Sequence, residues 1–192
     1  MKGCCEDNTA RRRALRQEMV ARRAALSDAE HAALSARIVV HALAALPLPV
    51  VAAFCWPIRH EPDIRSLLAR WATSGVRAAL PVVITEDAPL RFREWTPDGQ
   101  LAADRYGIPT PTAGAWLTPD LILLPLNGFD DAGYRLGYGG GYFDRTLAAL
   151  VPRPLAVGVG FAINRIDNIR PEPHDQRLDW IVTEDGAFRP AA

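Results

Sequence analysis

LILLPLNGFDDAGYRLGYGGGYFDRTL, residues 121–147, joins an unbroken apolar run, a glycine-rich turn and the start of a helix. Residues 121–126 are short and apolar, with Pro125 near the end where a missing ladder donor is tolerated, so they read as a buried strand. A helix is expected from about Tyr142 to Leu150. Open α/β sheets bind ligands at the carboxyl ends of their strands, and helix N-termini favour phosphate. The turn between strand and helix is therefore the candidate binding loop.

Its residue types suit a polyanion. Gly137, Gly139, Gly140 and Gly141 remove side chains where backbone amides must approach phosphate oxygens, and they permit the positive φ values that form an anion nest. Arg135 and Arg145 supply planar charged donors. Asp144 offers a hard oxygen for Mg²⁺, which would bridge phosphates. Neither GxxxxGK[ST] nor GxGxxG is present, and a lone GxGGG fits a flexible turn as well. The flanking strand, the two arginines and the aspartate favour phosphate.

Outward from this loop, helical and extended segments alternate. RRRALRQEMVARRAAL sets Leu15, Met19 and Leu26 near one face of an amphipathic helix over residues 9–26. Ser27 and Glu30 have capping-box spacing and start a second helix, which Pro47 and Pro49 end. VVAAFCW, residues 50–56, reads as a buried strand closed by Pro57. Asp63 can cap a third helix through Trp71, stopped by Gly75. Strands are expected at 76–84 and 90–95, the latter alternating as LRFREW. Residues 96–119, with four prolines and three glycines, are expected to be mostly a binding loop. LAVGVGFA, residues 155–162, is a further strand, and residues 181–183 add a short last one. This order predicts a single-domain, three-layer α/β/α sandwich around a mostly parallel, Rossmann-like sheet over residues 1–192, with 1–8 flexible.

Composition bounds the function. The chain has 192 residues, with 22 basic and 22 acidic side chains, so no global field draws nucleic acid or an anionic membrane. Only Lys2 among the basic residues is a lysine. Cys4, Cys5 and Cys55 form no CxxC pair, which argues against a disulfide framework or zinc ribbon, and Cys55 is expected in the core. No segment has the roughly 18 apolar residues of a membrane helix, and MKGCCEDNTARRR lacks a signal-peptide apolar segment. The expected location is cytoplasmic.

At RLGYGGGYFDR, residues 135–145, the chain resembles the RLGxGxGYYDR signature of the 5-formyltetrahydrofolate cyclo-ligase family, also called 5,10-methenyltetrahydrofolate synthetases. The resemblance runs from about Arg12 to Glu184. KxxLR is present as RRALR, with Arg12 in place of lysine and Arg16 matching the arginine. The segment P…E.D is present as Pro57, Glu61 and Asp63, FGIPEP as YGIPTP at 106–111, and PxxxHD within PEPHDQRLDWIVTE. Thr110 stands where glutamate is common and Phe143 where tyrosine is usual.

The resemblance implies ATP- and Mg²⁺-dependent closure of 5-formyltetrahydrofolate to 5,10-methenyltetrahydrofolate, releasing ADP and phosphate through a phosphorylated formyl group. It implies that Gly137, Tyr138, Gly139, Gly140 and Gly141, with Arg12 and Arg16, bind ATP. Glu61, with Gly139, Gly140 and Tyr142, would bind the folate. Arg135, Tyr142 and Arg145 would serve the reaction, and Asp144 and Asp175 would hold Mg²⁺. The expected ligands are ATP and formyltetrahydrofolate, with no nucleic acid or membrane, and the expected state is a monomer.

Plainer readings stand beside these. Arg12 and Arg16, one helical turn apart, fit a solvated face equally well. Asp179 competes with Asp175 as a metal ligand, and His174 receives no role. His31, His41 and His60 suggest no zinc site. Trp56 or Tyr138 offers a wall for a pterin. The rival functions are a non-catalytic folate- or nucleotide-binding relative, and another ATP-dependent enzyme on the same scaffold.

Overall fold

The computed structural model describes residues 2–191, and side chains from residue 8 onward. Helices are α1 (Lys2–Ala24), α2 (Asp28–Ala45), α3 (Arg65–Ala72) and α4 (Tyr142–Ala149). The strands are β1 (Val51–Ala53), β2 (Arg77–Val82), β3 (Arg91–Trp95), β4 (Leu101–Ala103), β5 (Pro109–Pro111) and β6 (Trp116–Leu117). They continue with β7 (Leu121–Pro125), β8 (Gly128–Phe129), β9 (Arg135–Leu136), β10 (Leu155–Val159), β11 (Trp180–Thr183) and β12 (Gly186–Phe188).

Eight strands form one sheet in the order β12-β11-β10-β7-β1-β2-β3-β6. The five strands from β11 to β2 are parallel. Antiparallel partners close both edges, β12 on one side and β3 with β6 on the other. β7 holds the middle because alternate residues face opposite layers and all are apolar. Leu121 and Leu123 join the core beneath α2 and α3, with Ile38, Leu67 and Trp71. Ile122 and Leu124 join the opposite core with Leu147 of α4. This is the α/β/α arrangement expected.

Several boundaries differ from the sequence reading, for local reasons. Ser27 and Glu30 form the capping box in full, each side chain meeting the other's backbone N–H. Asp63 does not sit at the cap of α3. Ile64 does, and Asp63 Oδ1 accepts the Arg65 N–H at 3.0 Å in the turn just before it. Gly75 stops α3 with φ +85°. β1 is three residues long, because the chain after Phe54 leaves the sheet to line a cavity. The expected loop at 96–119 holds three short strands. β4 and β5 pair only with each other, which spares Pro109 and Pro111 any place in a central ladder.

α1 also departs from expectation. It begins at Lys2, so the segment expected to be flexible, residues 1–8, falls largely within its first turns; the side chains of 1–7 lie outside the described residues. Its buried face is Arg12, Met19 and Arg23, while Leu15 is only half-buried and Leu26, also half-buried, lies past its end. The partners are polar: Asn8 and Arg11 bond the 168–172 segment, and Arg12 reaches Asp175. Among the described residues no helix is long and apolar enough to cross a membrane.

Candidate active site

A cavity of about 660 Å³ opens at the carboxyl ends of β1, β2 and β7. The chain runs from β1 to β2 on one side and later to β7 on the other, so this is the switch point at which open α/β sheets bind ligands. The glycine loop forms one wall, α1 a second, and the turn after β1 a third. The hairpin of β4 and β5 contributes Tyr106 and Thr110 at the rim.

In the glycine loop, Gly139 has φ +98° and Gly141 φ +63°, conformations that side chains with a Cβ resist. Gly141 is the N-cap of α4 and supplies no side-chain acceptor, which leaves the first-turn amides of α4 available to a ligand. Arg16 Nε donates to Gly137 O at 2.8 Å, tying α1 to the loop. Burial and the neighbouring charge of Arg12 lower the Arg16 guanidinium's pKa. The Tyr142 hydroxyl meets that of Tyr106 at 2.7 Å, bridging the loop to the rim hairpin.

Two ion pairs, each with a buried arginine and a half-buried aspartate, stand beside the loop. Arg12 grips Asp175 through both nitrogens, at 2.8 and 3.2 Å. Burial pushes the Asp175 carboxyl up, but the Arg12 fork, the Glu172 N–H and the Arg12 charge outweigh it and hold the pKa below the ordinary aspartate value. Arg135 Nη2 lies 3.0 Å from Asp144 Oδ2, and Asp144 Oδ1 accepts the Gln176 N–H at 3.0 Å. Each carboxylate keeps a planar donor aimed along the cavity wall.

The third wall carries an acid. Glu61 is 4% exposed; its Oε1 accepts from the Tyr138 hydroxyl at 2.6 Å and its Oε2 from the Ile58 N–H at 3.0 Å. Burial raises the Glu61 pKa despite those bonds. Burial, with the nearby Glu61 charge, also pushes the Tyr138 hydroxyl well up.

Arg12, Arg16, Glu61, Arg135, the loop from Gly137 to Tyr142, Asp144 and Asp175 all line this one cavity. Arg145 does not. Its side chain folds back to donate to Gly140 O at 2.6 Å and pairs with Asp87 at 3.5 Å, bracing the loop from behind. Asp179 is also elsewhere, accepting from Ala156 N and paired with Arg153. Cys55 is a cavity-lining residue, not a core one, and burial pushes its thiol up.

Sequence reasoning missed Arg23, which is fully buried and bonds Asn127 Oδ1 and the Tyr138 hydroxyl. The spacing of residues 12, 16, 19 and 23 on one helical face was the available signal. Among the described residues no group of three His, Cys, Asp or Glu is arranged to hold a metal. A Mg²⁺ ion carried by phosphates needs only one or two carboxylates; Asp144 and Asp175 line the cavity, each paired with an arginine.

Comparison with known proteins agrees with this architecture. The chain is 28% identical to the 5,10-methenyltetrahydrofolate synthetase of Aquifex aeolicus, with a TM-score of 0.79 covering 94% of this chain and 93% of the other. A synthetase structure from Mycoplasma pneumoniae gives 26% identity and a TM-score of 0.74, over 90% of this chain and 98% of that one. In sequence, the 5-formyltetrahydrofolate cyclo-ligase of Mycolicibacterium smegmatis is 32% identical over 137 residues, which is 66% of this chain and 70% of the relative. The profile of the 5-formyltetrahydrofolate cyclo-ligase family matches residues 8–184, a span that takes in both ion pairs, the glycine loop and Glu61, and the chain belongs to that family.

Proposed function

We propose that this chain converts 5-formyltetrahydrofolate and ATP to 5,10-methenyltetrahydrofolate, ADP and phosphate. One arrangement carries the reading: an uncapped glycine nest with arginines beside it, and a buried carboxylate, face the same cavity. Phosphate belongs at the first, and the N–H groups of a reduced pterin at the second.

A formyl oxygen is a poor leaving group. It attacks the γ-phosphorus of ATP, the bond from that phosphorus to ADP breaks, and the N5 lone pair leaves an iminium-like carbon. N10 adds to that carbon and loses its proton. The carbon–oxygen bond then breaks and phosphate departs with the former formyl oxygen. No protein nucleophile is required; positioning and charge stabilisation are.

The residues take roles accordingly. Amides from Gly137 to Tyr142 hold the phosphates, Arg12 and Arg16 close over the nucleotide, and Arg135 stabilises the charge on the transferring group. The Tyr142 hydroxyl and Glu61 orient the folate. Arg145 acts by holding the Gly140 carbonyl and so the shape of the nest. Asp144 and Asp175 would hold Mg²⁺, which when bound neutralises phosphate charge. Asp175 serves there only once phosphate replaces it as the partner of Arg12, an exchange between two anions for one fork.

Purified protein with ATP, Mg²⁺ and 5-formyltetrahydrofolate should generate the ultraviolet absorbance of the methenyl product. Folded protein that forms none would overturn the reading. Calorimetric binding of both ligands without product would make the chain a non-catalytic relative.

A further inference from the structure

The hydrogen bonds of Arg23 go to neutral acceptors: Asn127 Oδ1 at 2.8 Å, Tyr138 OH at 3.2 Å, Arg59 O at 3.4 Å and Asn127 O at 3.5 Å. A guanidinium at 0% exposure costs free energy unless an anion compensates it. The nearby anion is Glu61, reached through one shared hydroxyl.

The order of donors matters. A guanidinium can only donate, so Arg23 occupies a lone pair of the Tyr138 oxygen. The one phenolic proton must then go to Glu61 Oε1, 2.6 Å away. With the Ile58 N–H on Oε2, both carboxylate oxygens already accept, a pattern that suits the ionised form.

We infer that Arg23 is a positioning residue, acting through the Tyr138 hydroxyl to keep Glu61 a fixed acceptor for N–H donors such as those of a pterin. The inference rests on reading this wall as the folate side of the cavity. Tyr138 occupies a variable position of the RLGxGxGYYDR pattern, and Arg23 lies outside the matching motifs. Other groups also face Glu61. Arg59 is in its own loop, with its guanidinium 5.3 Å from the Tyr138 ring. The Cys55 thiol lies across the turn after β1. His31 Nε2 meets the Glu61 carbonyl at 2.8 Å, and the His60 ring is 5.2 Å from that of His31. None of these contacts the Tyr138 hydroxyl as Arg23 does.

The test is a ¹³C NMR titration of the Glu61 carboxyl in the full chain, run beside steady-state kinetics. Removing the cation in Arg23→Gln should favour the protonated acid and raise the Glu61 midpoint by about one pH unit. Tyr138→Phe, which removes the hydroxyl donor, should move it in the same direction, and Arg23→Lys, which keeps the charge, should restore part of the shift. The acidic limb of kcat/KM for formyltetrahydrofolate should move with the midpoint. KM for the folate should rise about tenfold while KM for ATP holds.

An unchanged Glu61 midpoint in folded Arg23→Gln overturns the relay. If that variant fails to fold, an unchanged midpoint in Tyr138→Phe overturns it instead. A shifted midpoint in a protein that never turns over formyltetrahydrofolate supports the relay and removes the folate reading alone.

Discussion

Gly137 offers the cleanest separation of binding from folding. Its backbone lies outside the left-handed region, and an added Cβ would meet no atom within 4 Å, yet the residue lines the cavity at the start of the nest. Gly137→Val therefore sets its Cβ in open space and places a branched side chain where phosphate must approach the amides. Each charge-assisted bond lost there is worth about 1.5–3 kcal/mol, which is about tenfold to 150-fold in kcat/KM for ATP. Thermal stability should hold or rise slightly, since replacing glycine at a tolerant site restricts the unfolded chain. Gly139→Ala is the contrasting case. With φ +98° it stores about 1–2 kcal/mol of strain, which lowers Tm by about 2–4 °C for each kcal/mol in a chain of this size. Coupled ATP turnover and differential scanning calorimetry on both variants check the pair. A Gly137→Val protein with wild-type kcat/KM for ATP would refute the placement of phosphate on this loop. Position 140 is less informative, because a Cβ there would press on the Tyr142 ring at 3.0 Å before reaching any ligand.

Other outcomes follow from the ion pairs and caps. The folded-state pKa of Asp175 lies below its ordinary value, so its contribution to stability is complete above the unfolded pKa of about 3.9 and fades as pH falls through the lower folded one. The stability difference between wild type and Asp175→Asn should thus be largest near neutrality and vanish in acid; a difference that grows in acid would reverse the sign assigned. Asp144→Asn should weaken the Mg²⁺ dependence of turnover, and an unchanged metal titration would count against that carboxylate. Ser27→Ala removes one side of the capping box and should cost about 1 kcal/mol in urea unfolding with kinetics untouched.

How much the sequence disclosed differs by residue. β7 was legible because six apolar residues in a row leave no polar face, and such a strand must be covered on both sides. The start of α2 was legible because Ser27 and Glu30 satisfy each other locally. The glycine loop announced itself by density. The Pro-rich stretch concealed β4, β5 and β6, whose pairing depends on partners six and more residues away and not on their own alternation. The face of α1 was misread for a related reason. Arginines count as solvent-facing in any hydrophobic pattern, yet Arg12 and Arg23 are buried because Asp175, Asn127 and Tyr138 arrive from 163, 104 and 115 residues along the chain. The retreat of Arg145 behind the loop is likewise tertiary, set by Gly140 O and Asp87.

The central claim is that one cavity holds a nucleotide's terminal phosphate on the 137–142 amides and a reduced pterin against Glu61. A crystal structure with a non-hydrolysable ATP analogue and 5-formyltetrahydrofolate tests it most directly. The predicted result is a γ-phosphate within hydrogen-bond distance of those amides, the formyl oxygen facing it, and a pterin N–H on Glu61. A nucleotide bound at another face of the sheet, with the glycine loop making no contact to it, would contradict the account.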